Sequence, residues 1–155
     1  MKMMELYPTG ERAEIGSHTF TAENIVHFAS RFDPQIFHMD AEAAKETLFG
    51  GLCASGWHTC AAWMRTFIDY WKGETARLIA EGGKPPKLGP SAGFQKLQWL
   101  RPVFAGDTVT YGVTLLSSRP LASRPGWTLN TILCDGTNQH GVPVIHFEST
   151  VLEFE

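Results

Sequence analysis

The chain has 155 residues with 43% hydrophobic and 19% charged content, which is typical of one globular domain, and we expect residues 1–155 to form a single domain. Its net charge of −3 excludes the strongly basic surface typical of nucleic-acid-binding proteins. No apolar run approaches the roughly 18 residues that span a bilayer, and the first residues lack the apolar stretch of a secretory signal, so we predict no membrane partner and a cytoplasmic location.

The first part of the chain carries a short strand pattern and two helix patterns. Residues 15–20 are typical of a short strand. Thr21 then predicts a helix start, because apolar side chains follow at helical spacing: Ile25, Phe28, Ala29 and Phe32. This helix should end near Phe32, since Pro34 disfavours helical geometry in the residue before it. Asp40 is a plausible N-cap for a second short helix.

A glycine-rich segment, residues 49–56, leads into the longest predicted helix. Residues 57–71 contain neither Gly nor Pro. Their apolar side chains form a surface wide enough for a buried helix: Ala61, Ala62, Met64, Phe67, Ile68 and Trp71. We therefore predict a central helix over about residues 56–71. Residues 81–90, rich in Gly and Pro, are predicted to form a loop.

The remainder of the chain has the composition of β-strands. Four segments are rich in Val, Ile, Thr, Phe and Trp, namely residues 93–100, 107–117, 126–135 and 142–155. Residues 136–141 are predicted to form the turn between the last two. Helices followed by an antiparallel meander predict an α+β fold in which a curved sheet wraps one long helix.

The densest cluster of reactive side chains lies between the first two predicted helices. Asp33 and His38 stand five residues apart on a segment stiffened by Pro34, and loops on a rigid scaffold often carry catalytic groups. Adding water to a double bond needs a base and an acid, and an Asp and a His can share these roles around one water. Spacing alone leaves two interpretations open, a catalytic pair or a turn with a structural histidine.

Ser55 and Gly56 lie where the central helix should begin. A helix N-terminus presents unpaired N–H groups and the positive end of the helix dipole, and a glycine there lets a ligand approach the backbone closely. Such a site can hold a thioester carbonyl and stabilise the enolate formed during hydration. The alternative interpretation is that Ser55 is an N-cap and Gly56 a packing residue.

These motifs, within residues 28–64, resemble the MaoC-like dehydratases, which include the (R)-specific enoyl-CoA hydratases. Residues 100–107 also resemble a strand-turn-strand segment of that family. The resemblance implies a hot-dog fold, a curved antiparallel β-sheet wrapped around one long central helix. It implies catalytic roles for Asp33 and His38 and an oxyanion-hole role for the backbone N–H of Gly56.

The chain departs from the hydratase signature at several positions. Gln35 stands where the family has Asn, Ile36 stands where it has Pro, and Pro34 follows the Asp directly. Ser55 stands where the enoyl-CoA hydratases often have His. We expect these changes to alter the loop backbone and the substrate.

The activity implied by the resemblance is that of a hydro-lyase of fatty acid metabolism, which reversibly hydrates a 2-enoyl thioester to a 3-hydroxyacyl thioester. The thioester would be carried on coenzyme A or acyl carrier protein, with no other cofactor. The resemblance also implies a homodimer, its sheets joined edge to edge, with the thioester bound near the interface. We name five candidate substrate-binding residues: Phe37, Phe49, Ser55, Trp57 and Trp99.

Two other functions remain open. A hot-dog thioesterase would require an acidic residue on the central helix, and Asp69 is the only acidic residue in residues 56–71. A non-catalytic acyl-thioester-binding module would have kept the fold without the chemistry, and the changes at Gln35 and Ile36 are compatible with it.

Metal and nucleotide sites are not predicted. The cysteines, Cys53, Cys60 and Cys134, are odd in number and lack Cys-x-x-Cys spacing. The histidines outside the central cluster show no metal-ligand spacing. The Gly-Gly pairs at residues 50–51 and 82–83 match neither a P-loop nor a dinucleotide-binding motif.

Overall fold

The computed structural model describes residues 1–155. Five helices and six strands follow one another along the chain: α1 Met3–Leu6, β1 Arg12–Thr19, α2 Ala22–Phe32, α3 Ile36–Met39, α4 Ala41–Ala44, α5 Gly56–Ala80, β2 Lys87–Leu88, β3 Phe94–Trp99, β4 Thr108–Pro120, β5 Trp127–Thr137 and β6 Pro143–Phe154. None of the helices combines the length and apolar character needed to cross a membrane.

The six strands form one antiparallel sheet. Its order is β1-β4-β5-β6, and both β2 and β3 pair with β6. Residues along β5 alternate between buried and half-buried, as expected for a strand with one face on the core. This is the α+β arrangement that the order of patterns predicts.

The long helix α5 is held against β4 by both packing and polar contacts. Trp63 and Phe67 are buried and stack on each other at 5.1 Å between ring centroids. The Trp63 indole N–H donates to the Gly112 carbonyl at 3.0 Å, and the Tyr111 hydroxyl donates to the Thr59 carbonyl at 2.9 Å. Burying rings of this size is the main stabilising term, and the two hydrogen bonds determine where the first turns of α5 lie on the sheet.

The starts of the short helices agree with prediction. The Thr21 hydroxyl accepts a hydrogen bond from the Asn24 N–H, so Thr21 caps α2. Asp40 accepts from the N–H groups of Glu42 and Ala43 and thereby caps α4. Both helices therefore begin where a side chain binds N–H groups of the first turn.

The predicted end of the central helix near Trp71 is wrong, because α5 continues to Ala80. Gly73 does not stop the helix, and its Cα faces open space. Arg77 forms ion pairs with Glu74 and Glu81, and Leu78 is buried. These contacts outweigh the cost of about 1 kcal/mol of one glycine inside a helix.

The loop predicted over residues 81–90 contains a strand. Lys87 and Leu88 pair with Phe154 and Glu153 at the end of β6. Two residues of β-structure leave no readable pattern, and only the tertiary fold brings β6 beside them. The segment around His38, also predicted as a loop, contains the one-turn helix α3.

Candidate active site

A cavity of about 370 Å³ opens beside the first turn of α5. It is walled by the residue 33–38 segment, the first turn of α5, and the stretch from the end of β3 to Val103. Seven of the residues predicted for the site line it: Asp33, Phe37, His38, Phe49, Gly56, Trp57 and Trp99. The eighth, Ser55, is fully buried and is connected to the cavity through its contact with Asp33.

The end of α2 determines where Asp33 lies. Asp33 is the C-cap residue of α2, and its N–H still donates to the Ala29 carbonyl at 2.9 Å. Pro34 turns the chain out of the helix, and α3 begins two residues later. This reversal brings the His38 Nε2 atom to 3.4 Å from the Asp33 Oδ2 atom.

His38 is buried, and both of its ring nitrogens have neighbours. Its Nδ1–H donates to the Cys53 carbonyl at 2.6 Å. Because Nδ1 carries the proton in that bond, Nε2 is the ring nitrogen left for proton exchange, and it faces Asp33. The ring is therefore oriented to accept a proton at Nε2.

Asp33 receives one hydrogen bond on each carboxylate oxygen. The Ser55 hydroxyl donates to Oδ2 at 2.7 Å, and the Gln35 side-chain amide donates to Oδ1 at 2.7 Å. Partial burial acts to raise the pKa of Asp33. The two hydrogen bonds and the nearby His38 together lower it by more, so the pKa of Asp33 lies below the usual value. Asp33 is therefore an anion at neutral pH.

The first turn of α5 keeps free N–H groups at the cavity. Ser55 occupies the N-cap position, but its side chain makes no capping hydrogen bond. Its carbonyl accepts from the His58 N–H at 2.9 Å, whereas the N–H groups of Gly56 and Trp57 have no acceptor within the protein. Such N–H groups at the positive end of a helix dipole are suited to an anionic oxygen.

Trp99 explains why residue 56 is a glycine. A Cβ atom built on Gly56 would lie 2.2 Å from the Trp99 ring. The packing interpretation of Gly56 therefore holds, and its N–H has no acceptor within the protein. The simple N-cap interpretation of Ser55 does not hold for its side chain, because the hydroxyl is bonded to Asp33.

Aromatic side chains form two walls of the cavity. The rings of Trp57 and Trp99 meet edge to face at 5.1 Å, and both are about half exposed. Phe37 meets Phe49 edge to face at 5.0 Å and packs against the His38 ring at 4.6 Å. These walls offer apolar surface beside the polar groups, as expected for a pocket that binds a partly apolar ligand.

His58 belongs to a different environment. It is 8% exposed, stacks on Phe28 at 4.6 Å, and lies edge-on to Phe20. Burial, with smaller contributions from the charges of His18 and His38, lowers the pKa of His58 to about 4. His58 does not line the cavity and packs among aromatic rings instead.

Neither a nucleophilic thiol nor a metal-binding cluster accompanies the site. Cys53 is buried, and burial raises the pKa of its thiol to about 11, so it is protonated near neutral pH. The structure contains no group of three or more His, Cys, Asp or Glu side chains placed to hold a metal ion.

The sequence did not indicate two features of the site. The Gln35 amide contact with Asp33 depends on the backbone turn after α2, although Gln35 itself was recognisable as a departure from the hydratase signature. Three further wall residues lie just before or within the first turn of α5: Cys53, Ala54 and Thr59. The other wall follows β3 or begins β6 and consists of Leu100, Arg101, Pro102, Val103 and Val144. The resemblance of residues 100–107 was the only signal for that wall.

The chain belongs to the MaoC-like domain family, whose model matches residues 8–124. It is 28% identical over 152 residues to the uncharacterized protein YdeM of Bacillus subtilis, covering 98% of both chains. It is 36% identical to the MaoC-like dehydratase of Rhodospirillum rubrum, with 98% and 96% coverage and a TM-score of 0.77.

The (R)-hydratase from A. caviae involved in PHA biosynthesis shares the fold at 22% identity. The match covers 95% of this chain and 96% of the hydratase chain, with a TM-score of 0.64. These similarities confirm the predicted hot-dog fold and the predicted family.

Proposed function

We propose that this protein catalyses the reversible hydration of a 2-enoyl thioester to a 3-hydroxyacyl thioester. One observation carries the proposal: Asp33, His38 and the unbonded N–H groups at the start of α5 surround a single cavity. This combination supplies proton transfer on one side and stabilisation of a negative oxygen on the other. Membership of a family of dehydratases supports a hydro-lyase.

In this mechanism the thioester carbonyl accepts a hydrogen bond from the Gly56 N–H. A water molecule between Asp33 and His38 attacks the β-carbon, and its proton passes to His38 Nε2. The electron pair of the double bond moves towards the carbonyl oxygen and forms an enolate, which the N–H stabilises by about 3 kcal/mol. Return of the proton to the α-carbon completes the addition of water. Proton transfer through a positioned side chain of this kind raises the rate by about 10²–10⁴-fold.

The aromatic walls favour an acyl group as the apolar part of the substrate. Four aromatic side chains line the same cavity as the polar groups, not a separate pocket: Phe37, Phe49, Trp57 and Trp99. Coenzyme A or acyl carrier protein would be part of the substrate, and the reaction needs no other cofactor. We place this reaction in fatty acid metabolism and in the cytoplasm.

The site lacks the carboxylate on α5 that thioester hydrolysis would require. Asp69, the acidic residue considered for that role, is exposed, bonded to Arg65 at 2.8 Å, and absent from the cavity wall. Glu74, on the part of α5 beyond the predicted end, is bonded to Arg77 instead. The geometry therefore favours hydration over the thioesterase alternative.

We also propose a homodimer. Trp57, Met64 and Ile68 share one face of α5, and each is at least 39% exposed. A row of large apolar side chains of this kind is typical of an interface. Sedimentation equilibrium should give twice the chain mass, and a monomer at micromolar concentration would contradict the dimer.

The test of the function is turnover of crotonyl-CoA and of longer 2-enoyl-CoAs by the purified protein. We expect loss of the conjugated enoyl absorbance and formation of the 3-hydroxyacyl product, with no release of free thiol. Thiol release without hydration would favour a thioesterase. Tight acyl-CoA binding without turnover across the panel would favour a binding module, and either result would contradict the proposal.

A further inference from the structure

The two departures from the hydratase signature that carry polar side chains both contact Asp33. Ser55 donates to Oδ2, the oxygen that faces His38, and Gln35 donates to Oδ1. The donors come from different parts of the chain, the start of α5 and the start of α3. Each carboxylate oxygen thus receives its own donor at 2.7 Å.

Ser55 is diverted from the role that its position suggests. An N-cap serine ordinarily accepts a hydrogen bond from the first turn of its helix. Here the side chain is fully buried and donates to Asp33 instead. The diversion has two consequences: it holds Oδ2 in place, and it leaves the Trp57 N–H, which an N-cap serine could bind, without an acceptor in the protein.

Gln35 makes the matching contact from the solvent side. It is exposed and occupies the N-cap position of α3, yet its side chain caps nothing in that helix. Its amide reaches back two residues to Asp33. Replacing Gln35 therefore removes this contact without removing a helix cap.

We propose that Ser55 and Gln35 are positioning residues that form a carboxylate clamp on Asp33, so that Asp33 orients the water as a permanent anion and His38 alone carries the proton. This inference rests on the proposed function and divides the roles within it. A carboxylate whose two oxygens accept strong hydrogen bonds is stabilised in its charged form and resists protonation. His38 Nε2 has no donor bonded to it and remains free to receive the proton.

The proton balance is complete with one carrier. Water gives a proton to Nε2 as its oxygen bonds to the β-carbon, and the imidazolium gives that proton to the α-carbon as the enolate collapses. Asp33 begins and ends as a carboxylate, stabilising the imidazolium in between. Since the Ser55 donor lies on the same oxygen that faces His38, its removal should disturb the orientation of the water most.

The clamp can be tested without turnover. In protein labelled with ¹³C at Asp carboxyls, the Asp33 signal is identified by its loss in Asp33→Asn, and its titration is followed in three variants. We expect the titration midpoint to rise in Ser55→Ala, to rise less in Gln35→Ala, and to stay unchanged in the matched control Ser30→Ala. Ser30 donates to the His27 carbonyl on α2 and does not contact Asp33.

Kinetics then separates positioning from general stability. We expect Ser55→Ala to lower kcat roughly tenfold, with KM little changed, and Gln35→Ala about threefold. In an Asp33→Asn background, Ser55→Ala should lower kcat no further. An equal loss in both backgrounds, or an unshifted Asp33 titration in Ser55→Ala, would overturn the clamp.

Two readouts keep the outcomes distinct. If Ser55→Ala does not fold, the titration in Gln35→Ala decides, because Gln35 is exposed and its variant should fold. If no enoyl thioester is turned over, the proposed function fails while the Asp33 titration still accepts or rejects the clamp.

Discussion

His38, in α3, and His58, in the first turn of α5, have opposite surroundings. His38 has a backbone acceptor for Nδ1, a carboxylate opposite Nε2, and a face on the cavity. His58 is enclosed by Phe28 and Phe20, and its buried Nδ1 has no hydrogen-bond partner. Both rings are buried to nearly the same degree, so burial does not distinguish them.

The contrast shows that hydrogen-bond partners decide what a buried histidine can do. A ring with one nitrogen bonded and the other facing an anion can take up and release a proton. Protonating a ring that is buried among aromatic side chains costs free energy, because the charge has no partner there. Four predictions test this difference.

The largest effect is expected from His38→Ala. Removing the proton carrier should lower kcat on an accepted enoyl thioester by about 10³-fold or more. The matched change His58→Phe replaces the other ring and should keep the wild-type kcat. Steady-state hydration rates measure both variants, with circular dichroism to verify folding. A comparable loss in His58→Phe would remove the distinction between the two histidines.

Asp33→Asn should have the next largest effect. The neutral amide keeps the shape but loses the charge that stabilises the His38 imidazolium, and we expect kcat to fall about 10²-fold. KM should change little. Equal losses in Asp33→Asn and His38→Ala would instead make Asp33 a proton carrier.

A methyl group at Gly56 should lower the free energy of unfolding through its contact with Trp99. Gly56→Ala places a Cβ atom against the Trp99 ring, and overpacking of this kind costs about 1–3 kcal/mol. The control is Gly73→Ala on the same helix, where the Cβ meets nothing within 4 Å and should stabilise by up to about 1 kcal/mol. Urea denaturation compares the two variants. Equal stability changes would contradict the contact with Trp99.

The smallest effect is a pH dependence from His58. Its pKa in the folded chain is about 4, below the usual 6.5, so the unfolded chain binds the proton first. The stability contributed by neutral His58 is therefore complete above about pH 6.5 and is lost as the pH falls towards 4. We expect the wild type to lose about 3 kcal/mol more than His58→Phe over this range.

Urea denaturation at several pH values between 7 and 4 measures that difference. His18, whose pKa burial also lowers, is present in both proteins, so the measured difference contains His58 together with its coupling to His18. Parallel stability curves for the wild type and His58→Phe would show that His58 is as easily protonated in the folded chain as in the unfolded one.

Local patterns predicted those parts of the fold that neighbouring residues determine. Thr21 and Asp40 cap their helices because a side chain and an N–H two or three residues away suffice. Pro34 ends α2 by its effect on the residue before it. The end of α5 was missed because Leu78 and the Arg77 ion pairs, rather than local propensity, carry the helix past Gly73.

The same division applies to the site. By itself the sequence determined the family, the order of elements, and the candidate pair Asp33 and His38, because these depend on residue types and short spacings. Only the tertiary structure decided how those residues are bonded. His38 meets the Cys53 carbonyl 15 residues away and Asp33 meets Ser55 22 residues away, distances along the chain at which no local pattern operates and packing alone selects the partner.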